Sequence, residues 1–311
     1  MMQSVAILAG ALFVLVRGAD LFVDGAKQVG RSFGMSNFAI GVLIVGLGTS
    51  VPELASSLAA VFNGTTEIVI ANVVGSNITN ILLIGGVLAI LGGPIMINRN
   101  LLTTELPIFF IATVHFIASV YDGVIDRVEA LLLVGTLTAY IWYLLSSSGE
   151  STAGATNTSQ REGIKLTSVV FIVLGLGAVL LGAHYTVESA VVLATGLMVP
   201  IGLVSIAAIA IGTSLPELFV SIQAVRNNET DLAIGNIFGS NAFNILLVAG
   251  VPGLITPLVA DVVVMELGLL VLVAASLILF VTGLARQIQK WEGVMMLLFF
   301  AFFLVKLVEF I

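Results

Sequence analysis

The 311 residues predict an all-α integral membrane protein of ten transmembrane helices, arranged as two inverted-topology repeats of five with broken second and seventh helices. Three observations carry that prediction. The composition is 59% hydrophobic and only 9% charged, where a soluble domain carries about 25% charged residues. The chain divides at turn signals and charges into stretches long enough to cross a bilayer, each needing about 20 apolar residues. Finally, GTSVPEL at Gly48 to Leu54 returns as GTSLPEL at Gly212 to Leu218, and NxxGSNxxNILL follows each at the same distance. Laid without gaps, residues 48–87 and 212–251 share 22 identities in 40 positions.

The expected spans run near 3–23, 37–61, 67–92, 101–121 and 124–146, then 166–189, 201–225, 230–253, 262–284 and 290–310. Met1 to Val16 lacks a basic start or a small-residue cleavage site and stays apolar beyond, so it reads as a retained first helix rather than a signal peptide. The hydrophilic, low-complexity stretch 146–165 reads as a flexible linker between a first repeat, 1–145, and a second, 166–311. Five spans on each side of a linker confined to one face require equivalent helices to cross in opposite directions. The repeat is therefore expected to be inverted.

Lysine and arginine collect in cytoplasmic loops. With the N-terminus outside, Lys27, Arg31, Arg99, Arg161, Lys165, Arg226, Arg286 and Lys290 fall inside, against Arg127 and Lys306 outside. Both termini are thus expected to be extracytoplasmic and the linker cytoplasmic, in a multi-pass protein of the cell membrane. Arg17 lies within the first span, where it could pair with Asp20 or snorkel to the interface. The net charge of -7 is spread thinly, with no basic stripe for nucleic acid, and the absence of cysteine excludes thiolate metal sites.

The chemistry lies in the repeated polar residues. Pro52 and Pro216 sit mid-span after Gly-Thr-Ser, and proline removes a backbone donor and clashes with the turn before it. The helices should break there and offer backbone carbonyls, with those of Gly46 and Ala210 suitably placed, which membrane depth tolerates only where protein or a water-filled cavity satisfies them. Around one break stand Thr49, Ser50 and Glu53, and around the other Thr213, Ser214 and Glu217. The following span adds Asn72, Ser76, Asn77 and Asn80 in one half and Asn236, Ser240, Asn241 and Asn244 in the other. Spacings of four place Asn72, Ser76 and Asn80 on one helix face, as they do Asn236, Ser240 and Asn244. Gly75 and Gly239 keep the neighbouring surface small enough for close helix approach.

Every ligand offered is an oxygen, which suits hard cations such as Ca²⁺ or Na⁺ better than Mg²⁺ with its tightly held waters. The competing reading is that serine, threonine and asparagine only knit helices together, and it applies with most force to Asn77, Asn241, Ser57 and Ser221. It does not account for Glu53 and Glu217, because an ionisable group at the bilayer centre costs about 3 kcal/mol even on insertion scales. His115 alone in the fourth span reads as helix contact, while His184, Glu188, Glu105 and Glu266 lie near helix ends. No nucleophile with a neighbouring base stands in either motif, so an enzyme is not expected, and a duplicated two-glutamate site does not describe a channel pore.

On these motifs, GTSVPEL with GSNITN and GTSLPEL with GSNAFN, the chain resembles the prokaryotic sodium/calcium exchangers of the cation/calcium exchanger superfamily over nearly its whole length. The resemblance implies ion ligands at Thr49, Ser50, Glu53, Ser76 and Asn80 with Thr213, Ser214, Glu217, Ser240 and Asn244, plus the carbonyls of Gly46 and Ala210. It implies transported Ca²⁺ and Na⁺, no cofactor, no partner beyond inorganic cations and the lipid bilayer, and exchange of three Na⁺ for one Ca²⁺. Potassium-dependent relatives use an aspartate at the position of Asn244; the amide here argues against K⁺ co-transport. Proton-coupled relatives carry a different motif around their glutamates, which leaves a Ca²⁺/H⁺ antiporter as the alternative. The oligomeric state is left open, with a monomer as one option.

Overall fold

The computed structural model describes residues 2–92, 95–96, 105–147, 165–197 and 211–309. Among these, eight helices are long and apolar enough to cross a membrane: Gln3–Ser32, Asn37–Phe62, Glu67–Leu91, Arg127–Ser146, Leu166–Gly196, Thr230–Ile255, Val264–Ala285 and Lys290–Glu309. Glu105–Ser119 is a shorter apolar helix in the expected fourth span, and Leu215–Arg226 is the described part of the expected seventh. Nearly all of the linker, the opening residues of the fourth span and 201–210 of the seventh lie outside the described residues.

The first and sixth helices are longer than the expected 3–23 and 166–189. They run Met2–Ser32 and Leu166–Gly196, 31 residues each, or about 46 Å at 1.5 Å per residue against a hydrocarbon core of about 30 Å. Asp24, Lys27 and Arg31 end the apolar stretch without ending the helix. What ends it is Gly34, at φ +73°, a left-handed turn that glycine adopts without cost. Ser36 then opens the second helix, its hydroxyl accepting the Ala39 N–H at 3.2 Å as an N-cap.

The second helix is interrupted at Ser50, with φ −81° and ψ 2°, and restarts as Val51–Phe62 with Pro52 in its first turn. Proline fits there because an N–H at that position would have no intrahelical acceptor. Ser214 repeats the break, at φ −88° and ψ 3°, before Leu215–Arg226. Among the described residues four segments are π-helical: Gly41–Gly46, Thr79–Ile84, Asn244–Val248 and Val264–Gly268. Such wide turns concentrate at functional sites, and two of them carry Asn80 and Asn244.

Short antiparallel ladders join the halves. Strand β1 (Ile95–Met96) pairs with β4 (Gln287–Ile288), and β2 (Val124–Ile125) with β3 (Leu258–Val259). The centre of the bundle is Thr230–Ile255, whose apolar window is 94% buried, against 28% for the first and sixth helices. Those two pack on each other along a seam of small residues. A β-carbon on Gly18 would stand 2.7 Å from Val179 N, on Gly175 2.4 Å from Phe22 N and on Gly182 2.7 Å from Leu15 Cβ. Away from the seam they expose Phe13, Val173, Leu174 and Leu181, surface that a bilayer would cover.

Lys27 bonds Glu229 at 2.5 Å, Arg31 approaches the same carboxylate at 3.5 Å, and the Asn37 amide donates to it. This cluster fastens the ends of the first and second helices to the connection before Thr230, all three expected on the cytoplasmic face. Arg17 stacks 5.6 Å over the Phe13 ring and does not pair with Asp20. Helical side chains lean toward the N-terminus, which brings a residue one turn back within reach and leaves Asp20 behind. His115 Nδ1 meets Thr136 Oγ1 at 3.2 Å, a helix-to-helix contact, and His184 lies 4.0 Å from Glu188 in an exposed pair.

Candidate functional site

Each helix that follows a break packs on the next one along the chain, Val51–Phe62 on Glu67–Ile78 and Leu215–Arg226 on Thr230–Phe243. The first half of the second helix lies against Thr230–Phe243 with almost no side chain between. A β-carbon on Gly41 would be 2.3 Å from Leu232 O, on Gly235 2.3 Å from Phe38 O, on Gly239 2.7 Å from Val42 Cα and on Gly46 2.9 Å from Ser240 N. That approach delivers Thr49 to the second half. Its hydroxyl lies 3.2 Å from Ser240 Oγ and 3.3 Å from Asn236 Oδ1. Ser240 Oγ also reaches the Gly46 carbonyl at 3.5 Å.

The halves interlock a second time where Asn244 Nδ2 donates to Ser76 Oγ at 3.0 Å. Thr213 stands beside Glu53 and Thr49 beside Glu217, and the two carboxylates are close enough to repel each other. Each glutamate opens the helix that follows its break, where backbone N–H groups face it. The helix segment before the first break ends in carbonyls directed the opposite way. This pairing of half-helix ends about a pair of acids is a device for holding cations at membrane depth.

Both glutamates are buried, at 0% and 1% exposure, and among the described residues none of their four carboxylate oxygens meets a donor in hydrogen-bond geometry. Ser50 Oγ, Ser214 Oγ, Asn244 Oδ1 and both polar atoms of Asn80 are likewise buried without partners. Groups that only knit helices are bonded, since a buried polar atom left alone costs about 1–3 kcal/mol. The same comparison identifies the knitting residues. Asn72 Nδ2 donates to Glu53 O, Ser56 Oγ and Ser57 Oγ at 3.1–3.2 Å, and Asn236 Nδ2 donates to Glu217 O at 3.3 Å and Ser221 Oγ at 2.8 Å. Asn77 and Asn241 are not among them: each donates only within its own helix, to the carbonyl four residues back at 2.7 Å, and its Oδ1 is buried without a partner among the described residues.

The Gly46 carbonyl is not freed by the break. It accepts the Ser50 N–H at 3.1 Å and the Thr49 hydroxyl at 3.4 Å. The carbonyl that loses its helical donor to Pro52 is four residues back, at Gly48. Ala210, its counterpart in the expected ligand set, lies outside the described residues. The remaining expected ligands all border the breaks or the two helices that follow them. Their surroundings are unequal: Thr49, Gly46, Asn236 and Ser240 are buried, while Thr213 and Asn72 are partly exposed. The glycine-packed wall formed by Gly46, Thr49, Asn236 and Ser240 is therefore closed.

What the sequence reading missed is the clamping by Asn72 and Asn236, which it placed on the ligand-bearing stripe. The signal was present as the serine fifteen residues earlier, Ser57 and Ser221, duplicated with the asparagine.

Comparison with known proteins gives one answer. The family model described as sodium/calcium exchanger protein matches residues 3–146 and 167–308. The inner membrane protein YrbG of Escherichia coli (strain K12) is 33% identical over 96% of this chain and 94% of its own length. The sodium/calcium exchanger MaX1 of Methanosarcina acetivorans is 33% identical over 97% of each chain. Among solved structures, the sodium-calcium exchanger NCX_Mj superimposes with a TM-score of 0.81 at 28% identity, covering 98% of this chain and 99% of that one. The duplicated, acid-bearing helix breaks and these matches agree: the chain belongs to the sodium/calcium exchanger family of membrane cation exchangers.

Proposed function

We propose that this protein is a secondary antiporter that exchanges Na⁺ for Ca²⁺ through alternating access to one site built from Glu53, Glu217, Thr49, Thr213, Ser50, Ser214, Ser76, Ser240, Asn80 and Asn244, with the carbonyl of Ala210. The observation that carries the reading is the pair of buried carboxylates whose oxygens have no hydrogen-bond partner among the described residues. An uncompensated acid at that depth is costly, and a cation between the two is the compensation. Two carboxylates balance one Ca²⁺; three Na⁺ in the same shell leave one positive charge over, so a 3:1 exchange moves net charge.

The chain is read as ten spans in two inverted repeats, 1–145 and 166–311, joined by a cytoplasmic linker at 146–165, with both termini outside. In support, Met2–Ser32 and Leu166–Gly196, and again Val51–Phe62 and Leu215–Arg226, recur at one offset of 164 residues. Each ladder also joins a strand of one half to a strand of the other. In the transport cycle the first and sixth helices move together against the remaining core. Their mutual glycine seam and lipid-facing outer surfaces favour a paired movement, while the glycine contacts of the second and eighth spans hold the site rigid.

The test is Glu53→Gln and Glu217→Gln, which keep shape and remove one of two central charges. Each abolishes Na⁺-driven Ca²⁺ flux in proteoliposomes while the protein stays folded. Near-normal flux from either would contradict the assignment.

A further inference from the structure

We infer that Asn72 and Asn236 are positioning residues that set the two carboxylates without touching the cation. This rests on the exchange reading of the same site. The side-chain amide has two hydrogens to donate and no affinity for a metal ion through nitrogen. In both halves it is spent identically, on the backbone carbonyl of the glutamate and on a serine hydroxyl one turn further along the same helix. Asn72 takes Glu53 O and Ser57 Oγ; Asn236 takes Glu217 O and Ser221 Oγ. The glutamate lies in the first turn after the break, where the preceding chain supplies no continuous helix to hold it. A donor from the next helix fixes that turn at the residue whose carboxylate matters.

The remaining oxygen argues the same way for Asn236. Its Oδ1 lies 3.3 Å from Thr49 Oγ1 and 3.3 Å from Ser240 Oγ, so it is engaged by two hydroxyls of the site, which share their single hydrogens between it and the backbone carbonyls nearby. Asn236 thereby links the Glu217 turn to Thr49 of the opposite half, which itself stands beside Glu217. Asn72 is partly exposed and also bonds Ser56. The clamp on Glu217 is therefore the more extensive, and its loss should cost more.

The test is Ca²⁺ titration calorimetry on the purified full-length protein in Na⁺-free detergent solution, reading both the dissociation constant and the bound stoichiometry. Asn72→Ala and Asn236→Ala should weaken binding by about tenfold, the effect of one or two buried hydrogen bonds, with stoichiometry unchanged and the larger loss at Asn236. A merely structural role would instead lower the stoichiometry, as some molecules fail to fold, and leave the dissociation constant alone. Asn72→Asp and Asn236→Asp discriminate further: a carboxylate in the ion's shell would tighten Ca²⁺ binding, whereas loss of the donor weakens it. Ser57→Ala and Ser221→Ala, which keep the amide and remove one acceptor, should weaken binding by roughly threefold. Each asparagine substitution should then cost less on the serine-free background than on the wild type. Tighter binding by either aspartate variant, or unchanged dissociation constants in the serine variants, would overturn the positioning role while leaving the exchange reading intact. A wild-type protein that binds no Ca²⁺ would overturn both.

Discussion

Gly235→Ala tests whether the closed wall of the site is as rigid as its packing indicates. The added β-carbon would stand 2.3 Å from the Phe38 carbonyl oxygen and 3.1 Å from Gly41 Cα. Both neighbours are backbone, so no side chain can swing away. Ordinary contact begins near 3.4 Å, which requires the Asn37–Thr49 segment to retreat from Thr230–Phe243 by about 1 Å. Thr49 Oγ1 now lies 3.2 Å from Ser240 Oγ and 3.3 Å from Asn236 Oδ1, and a retreat of that size takes both beyond bonding distance. Overpacking costs about 1–3 kcal/mol and two hydrogen bonds about 1 kcal/mol each. The variant should lose roughly 3–5 kcal/mol of stability, read as a lowered thermal midpoint in detergent, with weakened Ca²⁺ binding at temperatures where it is folded. Gly177→Ala is the control. Its β-carbon meets nothing within 4 Å among the described residues, so the change should be neutral or stabilising by up to about 1 kcal/mol. Wild-type stability and affinity in Gly235→Ala would show that the wall yields, and the account of a rigid core would fail with it.

Alanine at Ser50, Ser76, Ser214 or Ser240 should weaken the Na⁺ dependence of exchange more than Ca²⁺ binding, because neutral hydroxyls suit a monovalent ion better than a divalent one; equal losses in equilibrium binding would assign the serines to the Ca²⁺ shell or to packing. Gly30→Cys with Ile40→Cys fixes the first helix to the second in a chain with no native cysteine, and a β-carbon at position 30 would lie 3.3 Å from Ile40 Cβ, close to the spacing a disulfide requires. The oxidised protein should bind Ca²⁺ from one side but not exchange it, and full turnover after verified cross-linking would refute movement of the first helix against the core. Glu229→Ala strands the largely buried Lys27, while Arg31 stays in solvent, and should cost about 1–3 kcal/mol, whereas Glu188→Ala, in an exposed pair with His184, should leave the thermal midpoint unchanged; equal effects would mean that the cluster does not fasten the helix ends.

The features legible in the sequence were those written in residue types. Pro52 and Pro216 announced the helix breaks, the duplicated Thr-Ser and glutamate announced the acids beside them, and turn residues divided most of the spans. Features written in the backbone or in distant contacts were not legible. Nothing in TNILLI or NILLV distinguishes a π turn from an α turn, because both present the same apolar side chains. Nothing in the sequence singles out Glu229, since its partners Lys27, Arg31 and Asn37 come from the other end of the chain. Asn72 and Asn236 shared a helix face with Ser76 and Ser240 and so were grouped with them. Which atom of an amide is used, and by what, depends on the neighbouring helix. The first and sixth helices outran their apolar stretches because helix length is set by capping and turn residues such as Gly34, while apolar length reports only the depth of the hydrocarbon.

The central claim, that Glu53 and Glu217 form a site for Na⁺-coupled Ca²⁺ exchange, is tested most directly by Ca²⁺ uptake into proteoliposomes under an imposed outward Na⁺ gradient at fixed pH, repeated with a pH gradient in Na⁺-free buffer. The account predicts uptake in the first condition, lost in Glu53→Gln and Glu217→Gln, and none above background in the second. Uptake driven by the pH gradient alone, with no response to Na⁺, would contradict it and identify a proton-coupled exchanger.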